Sequence, residues 1–141
     1  MATLVQLSDG IETRLATISG LRGSSEWQDT VNPPVAMPLV TEVRADTFDT
    51  RFTATFRILV IVGGLSQMGI GRASRALKAY MSPSGASSIW AALEGDVTLG
   101  GVAETVVLDA AAWGEEREYQ IGSIAYWGAP LENIEVEFTD S

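Results

Sequence analysis

Between Phe52 and Val62 the hydrophobic period of the chain changes, and this segment narrows the available folds more than any other. Phe52, Ala54, Phe56 and Ile58 alternate with Thr53, Thr55 and Arg57, the period of two that sets one face of a strand on a core and the other toward solvent. From Ile58 to Val62 no polar residue intervenes, so that end of the strand is expected to be covered on both faces. Leu39 to Arg44 reads as a strand before it, joined through the polar Asp46-Thr47-Phe48-Asp49. Two such strands require a sheet and a layer to cover it.

The covering layer is written at a different period. Leu4, Leu7, Ile11, Leu15 and Ile18 recur at spacings of three and four, the stripe of an amphipathic helix, which Gly20 closes and Asp9-Gly10 weakens. After Gly63-Gly64, Ser66 is expected to cap a helix to about Met81, with Ala73, Leu77, Tyr80 and Met81 on its apolar side. Ser82-Pro83 reads as a cap and first helical position for a short helix through Ile89, Trp90 and Leu93, ending at Gly95. Three further strands are expected at 102–109, 119–126 and 131–139, with Gly128-Ala129-Pro130 separating the last two. In the final one Ile134, Val136 and Phe138 alternate with Glu135 and Glu137, one buried face and one acidic face. The order predicts a single α+β domain over 1–141, a mainly antiparallel sheet with helices packed on one side. Residues 19–38, rich in Gly, Ser, Asn and Pro with Trp27 in their middle, read as a long loop or arm.

Composition then removes whole classes of function. The 141 residues include no histidine and no cysteine, which excludes disulfides, thiolate nucleophiles, the usual structural zinc sites and nearly all catalytic triads. No apolar run is long enough to span a membrane, and the first residues lack the basic and apolar regions of a secretory signal, so a cytoplasmic site of synthesis and use is expected. Net charge is -9, the wrong sign for gripping nucleic acid through its phosphates. The charge is also unevenly spread. Residues 1–78 carry 7 acidic and 8 basic side chains, whereas residues 79–141 carry 11 acidic and 1 basic, and such asymmetry favours contact between unlike halves.

No chemical motif survives inspection. Gly63-Gly64 and Gly69-Ile70-Gly71 lie where a phosphate-binding turn would, but Gly71 is followed by Arg72-Ala73 rather than Lys and Ser or Thr. A dinucleotide fingerprint needs a third small residue in register and an acid about twenty residues on; Ser74 rather than glycine fills that slot, and the next acid is Glu94. Glu115, Glu116, Glu118, Glu132, Glu135 and Glu137 have no calcium-loop spacing. No catalytic, cofactor or metal site is therefore expected. What remains are surfaces: Arg72, Arg75 and Lys78 as a basic ridge on one helical face, the acidic Glu115, Glu116 and Glu118, and the tryptophans Trp27 and Trp113, which lie in polar surroundings and suit an interface. Trp90 reads as core, and Trp127 fits either role.

Several segments together resemble a known family. These are Asn32-Pro33-Pro34-Val35-Ala36-Met37-Pro38, the run from Arg75 to Ile89 (RALKAYMSPSGASSI), Leu93-Glu94, and Leu99-Gly100-Gly101-Val102. They are similar to tail-terminator or head-to-tail connector proteins of long-tailed (siphovirus-type) bacteriophages, especially those infecting actinobacteria, over most of the chain from Leu4 to Phe138. The resemblance implies a virion structural protein of the neck, assembled in the host cytoplasm, that forms a closed and usually six-fold homo-oligomeric ring. Such a ring caps the tail tube, stops polymerisation of the major tail-tube protein and offers a docking surface to the head-completion or stopper protein. DNA passes through it without specific binding, and Glu132, Glu135 and Glu137, or the adjoining Glu115 to Glu118 turn, are the acids expected to line a channel that repels phosphates. A head-side connector or stopper of the same neck is an alternative reading. A small-ligand-binding α+β domain, or an enzyme working through carboxylates, is another of a different class.

Overall fold

The computed structural model describes residues 3–24, 33–45 and 51–139. Helix α1 (Leu4–Leu15) leads through a two-residue strand β1 (Arg22–Gly23) to β2 (Val35–Ala45) and β3 (Arg51–Gly64). Helices α2 (Leu65–Met68), α3 (Ile70–Met81) and α4 (Ile89–Glu94) follow, then a 3-10 turn at Leu99–Gly101 and strands β4 (Thr105–Val107), β5 (Ala112–Trp113), β6 (Arg117–Ile121) and β7 (Ile124–Thr139). The sheet order is β1-β2-β3-β7-β4, with β5 and β6 also paired to β7. Every pairing is antiparallel except β1 with β2. The domain is α+β, its mixed sheet curled into a half-barrel.

The helices share one face of that sheet. Leu7, Ile11 and Leu15 of α1, Ala73 and Leu77 of α3, and Ile89 and Leu93 of α4 are buried with Ala54, Phe56, Ile58, Val60 and Val62 of β3. Each large side chain so buried contributes about 1.5–3 kcal/mol. Thr3 caps α1 through a reciprocal pair with Gln6, its hydroxyl accepting from the Gln6 N–H while the Gln6 side chain accepts from the Thr3 N–H. Leu59 and Ile61 point the other way, into a second cluster with Val35, Met37, Ile121 and Tyr126. The apolar run of β3 is thus covered on both faces, and the curl of the sheet supplies the second cover by bringing β6 round.

Several boundaries differ from the sequence reading. Residues 19–38 are not one arm: Arg22–Gly23 and Val35–Pro38 are strand, and residues 25–32, Trp27 among them, lie outside the described residues. Pro38 is tolerated because, beyond Ala36, β2 has only β3 as a strand neighbour among the described residues. Ser66 caps no helix. Gly69, at φ 74°, a backbone region that disfavours side chains, separates α2 from α3. Ser88 rather than Ser82 opens α4, its hydroxyl accepting from the Ala91 N–H at 3.0 Å, while the Ser82 hydroxyl donates back to the Lys78 carbonyl and ends α3. Strand β4 is only three residues of the expected 102–109.

The largest revision is at the C-terminus. The expected strand at 119–126 is a hairpin turning at Gly122-Ser123, and 124–139 form one continuous strand through Gly128-Ala129-Pro130. Pro130 is accommodated because its carbonyl accepts from the Gly114 N–H at 2.7 Å. Its ring nitrogen therefore faces the bend between β5 and β6 rather than the ladder with β3. Gly128 is needed for strand approach, since a Cβ there would lie 2.2 Å from the Val60 carbonyl oxygen. Further along, β7 sets Glu132 and Asn133 against the single residue Arg57, and Asn133 takes φ 63°, as Asn readily does. This bulge lets Leu131, Ile134, Val136 and Phe138 all face the helices.

Candidate functional site

The residues singled out by sequence fall on three surfaces. The first is α3. Ala73 and Leu77 are buried and Ala76, Tyr80 and Met81 half-buried against the main core, which turns Arg72, Arg75 and Lys78 to the opposite, exposed side. None of the three side chains takes part in a hydrogen bond or ion pair among the described residues. Burial raises the Tyr80 hydroxyl above its ordinary pKa, so it stays protonated beside the ridge and adds no charge to it.

The second surface is the bend before β6 together with the first residues of that strand, and here the structure separates residues that the sequence grouped. Glu116 accepts from Trp127 Nε1 at 3.1 Å and is half-buried, so it serves the fold. Glu115 and Glu118 are exposed and form no ion pair among the described residues. Between them Arg117 donates from Nε to the Tyr119 hydroxyl at 3.2 Å and lies 5.1 Å from that ring's centre. The Tyr119 hydroxyl chiefly, with Glu115 and Glu132 adding their charge, holds Arg117 above the ordinary arginine value. No hydrogen bond or ion pair among the described residues links this bend to the ridge on α3.

The third surface is the sheet face turned away from the helices. Glu135 and Glu137 lie on it, opposite the buried Ile134, Val136 and Phe138, and the bulge brings Glu132 to the same side. The face is less acidic than the sequence of β7 alone indicates. Arg57 pairs with Glu132 at 2.8 Å, Arg44 lies 3.0 Å from Glu42 and 3.9 Å from Glu135, and Arg51 pairs with Glu104 at 3.1 Å. Read from the sequence, none of these arginines has a role beyond the polar side of its strand. Their signal was present in the alternation of Arg51, Thr53, Thr55 and Arg57 opposite the apolar side of β3.

The tryptophans also divide. Trp113 does not stand in polar surroundings: it is half-buried, opposite Leu131 and against the main core. Its Nε1 is the single buried side-chain polar atom without a partner among the described residues. Trp90 is half-buried against the same core and donates to Glu94.

A cleft of about 320 Å³ opens between α1 and the loop 96–102, lined by Asp9, Thr13, Arg14 and Asp96 among others. Two of its charged groups, Arg14 and Asp96, are engaged in building it. Arg14 donates from Nε to the Ala92 carbonyl at 2.8 Å, and Asp96 accepts from the Thr98 hydroxyl and N–H and from the Gly100 N–H. Those bonds, the Thr98 hydroxyl foremost, hold the Asp96 carboxyl below the ordinary aspartate range. No group of three or more acidic side chains among the described residues could hold a metal ion, and no described helix is long and apolar enough to cross a membrane. No protein-family model matches the chain, and no curated protein is significantly similar to it.

Proposed function

We propose that this chain is a structural subunit of a long-tailed phage virion, a tail terminator that works by assembly. Copies close into a ring, six-fold by the family resemblance, on the head-proximal end of the tail tube, end tube growth and present the surface that joins the head. The observation that carries this reading is where charge is left unmatched. Arg44, Arg51 and Arg57 of the sheet are paired within the subunit, whereas Arg72, Arg75 and Lys78 on α3, Glu115 before β6 and Glu118 within it are exposed without ionic partners among the described residues. A heterologous contact needs two unlike and complementary patches on every subunit, and repeating it about an axis gives a ring. Its partners are further copies of itself, the tail-tube protein on one side and a head-completion or stopper protein on the other, with DNA passing through unbound.

Native mass spectrometry of the purified chain, and negative-stain images of it mixed with tail tubes, test the reading. Rings seated at one tube end are expected. Tubes of uncontrolled length that carry no cap would overturn it.

A further inference from the structure

The outer edge of β2 carries a charge pattern that the ring contact does not use. Strand β1 flanks β2 only at Val35 and Ala36, and from Met37 to Ala45 its strand neighbour among the described residues is β3 alone. Such an edge directs alternate N–H and C=O groups outward, a template for another strand. The bulge between Val40 and Glu42 turns Glu42 and Arg44 to the face away from the helices and leaves Val43 on the helix side. Val43 is 46% exposed although Ala54, its partner on β3, is fully buried.

Within one chain Arg44 pairs with Glu42 at 3.0 Å, and the order Glu42-Val43-Arg44 is equally self-complementary between two chains, where the same two groups exchange partners. If two such edges run antiparallel about a two-fold axis at Val43, each Glu42 lies directly opposite the other copy's Arg44 on one face. The two Val43 side chains meet on the other face and extend the apolar side of the sheet. Neighbouring registers lose this match: an axis at Glu42 opposes two carboxylates, and an axis at Arg44 opposes two guanidinium groups. Directly opposed unlike charges stabilise an antiparallel pair and like charges destabilise it, so one register is selected. We propose that this edge binds a second copy of the chain, giving an isologous dimer whose sheet runs continuously from one β2 to the other. The contact uses neither the α3 ridge nor the acidic bend, so it can hold whether or not the ring forms.

Because the full chain has no cysteine, one introduced thiol reports the register. In the proposed dimer two Val43→Cys residues lie directly opposite, with Cα atoms about 4.5–5.5 Å apart, within the range a disulfide spans. Two Val40→Cys side chains lie roughly 20 Å apart. Oxidised glutathione should therefore convert the Val43→Cys chain to a covalent dimer and leave the Val40→Cys chain without a covalent cross-link; equal cross-linking of both, or of neither, would overturn the proposal. In sedimentation equilibrium Arg44→Glu should abolish the dimer, and the double exchange Glu42→Arg with Arg44→Glu should restore it. A wild-type monomer at every concentration, an unaffected Arg44→Glu chain or a failed rescue would each refute it. Should Arg44→Glu misfold by circular dichroism, the two cysteine variants still decide.

Discussion

Arg57 on β3 and Glu132 on β7 meet across the sheet, Nη2 to Oε1 at 2.8 Å, where β7 sets two residues against one. Without the extra residue, strict alternation would put Glu132 on the same side as Ile134 and Val136, in the core. The bulge spares the core a charge and hands that charge a partner. Both groups remain partly exposed, 44% and 39%, so the pair is worth about 1 kcal/mol at most.

Glu132→Lys, which faces Arg57 with a like charge, should therefore lower stability to urea by about 1 kcal/mol in dilute buffer and by less in high salt. Glu137→Lys, which breaks no ion pair among the described residues, should cost less. Equal losses would contradict the assignment. If the acidic sheet face lines the proposed channel, replacing Glu132, Glu135 and Glu137 together by lysine should leave rings forming and slow DNA ejection, and unchanged ejection would remove these acids from the channel.

Reversing Arg72, Arg75 and Lys78 to glutamate should reduce ring yield and its sensitivity to salt, since each exposed pair contributes only about 0.2–1 kcal/mol. The thermal midpoint of the isolated subunit should hardly move, because the ridge makes no internal ion pair among the described residues. Native mass spectrometry showing normal ring yield would reduce the ridge to a solvated face.

Two glycine replacements should act in opposite directions. Gly128→Ala places a Cβ 2.2 Å from a backbone oxygen that cannot rotate away and should destabilise by about 1–3 kcal/mol or more. Gly71→Ala on α3 meets nothing within 4 Å and should stabilise by about 0.4–1 kcal/mol by restricting the unfolded chain. Chemical unfolding of both variants checks the pair.

Asp96 predicts a pH effect with a definite sign. Its carboxyl is depressed by the Thr98 hydroxyl and the Gly100 N–H, so the folded chain binds this proton more weakly than the unfolded chain. The resulting stabilisation is fully present above the ordinary aspartate value and is lost as pH falls through the lower folded value. A carboxyl-carbon NMR titration should place the Asp96 midpoint below the ordinary aspartate value. Asp96→Asn should lower the thermal midpoint at neutral pH and lose that deficit in strong acid; an Asp96 midpoint at the ordinary aspartate value would contradict the account.

Much of the fold was legible because it is local. The stripe of Leu7, Ile11 and Leu15, the change of period at Ile58 and the alternation of Ile134, Val136 and Phe138 each state which face is buried within a few residues of chain. Helix against strand, the α+β layering and the exposed ridge on α3 follow from these periods alone. The charged candidates were legible as residue types but not as sites, since nothing local says that Glu116 bonds to Trp127 while Glu115 does not.

What the sequence by itself determined, then, is the set of faces: which side of each element must be dry and where the surplus acids and cations lie. The tertiary structure alone decided how those faces are matched. Pro130 and Gly128 read as breakers, yet they sit inside a sixteen-residue strand, because the bend at Gly114 asks no N–H of the proline and the Val60 carbonyl leaves no room for a side chain at the glycine. Arg44, Arg51 and Arg57 moderate a face that β7 read alone makes purely acidic. Pairing across a sheet joins residues about 75 positions apart, Arg57 with Glu132 among them, and periodicity within a strand carries no record of its neighbour's register.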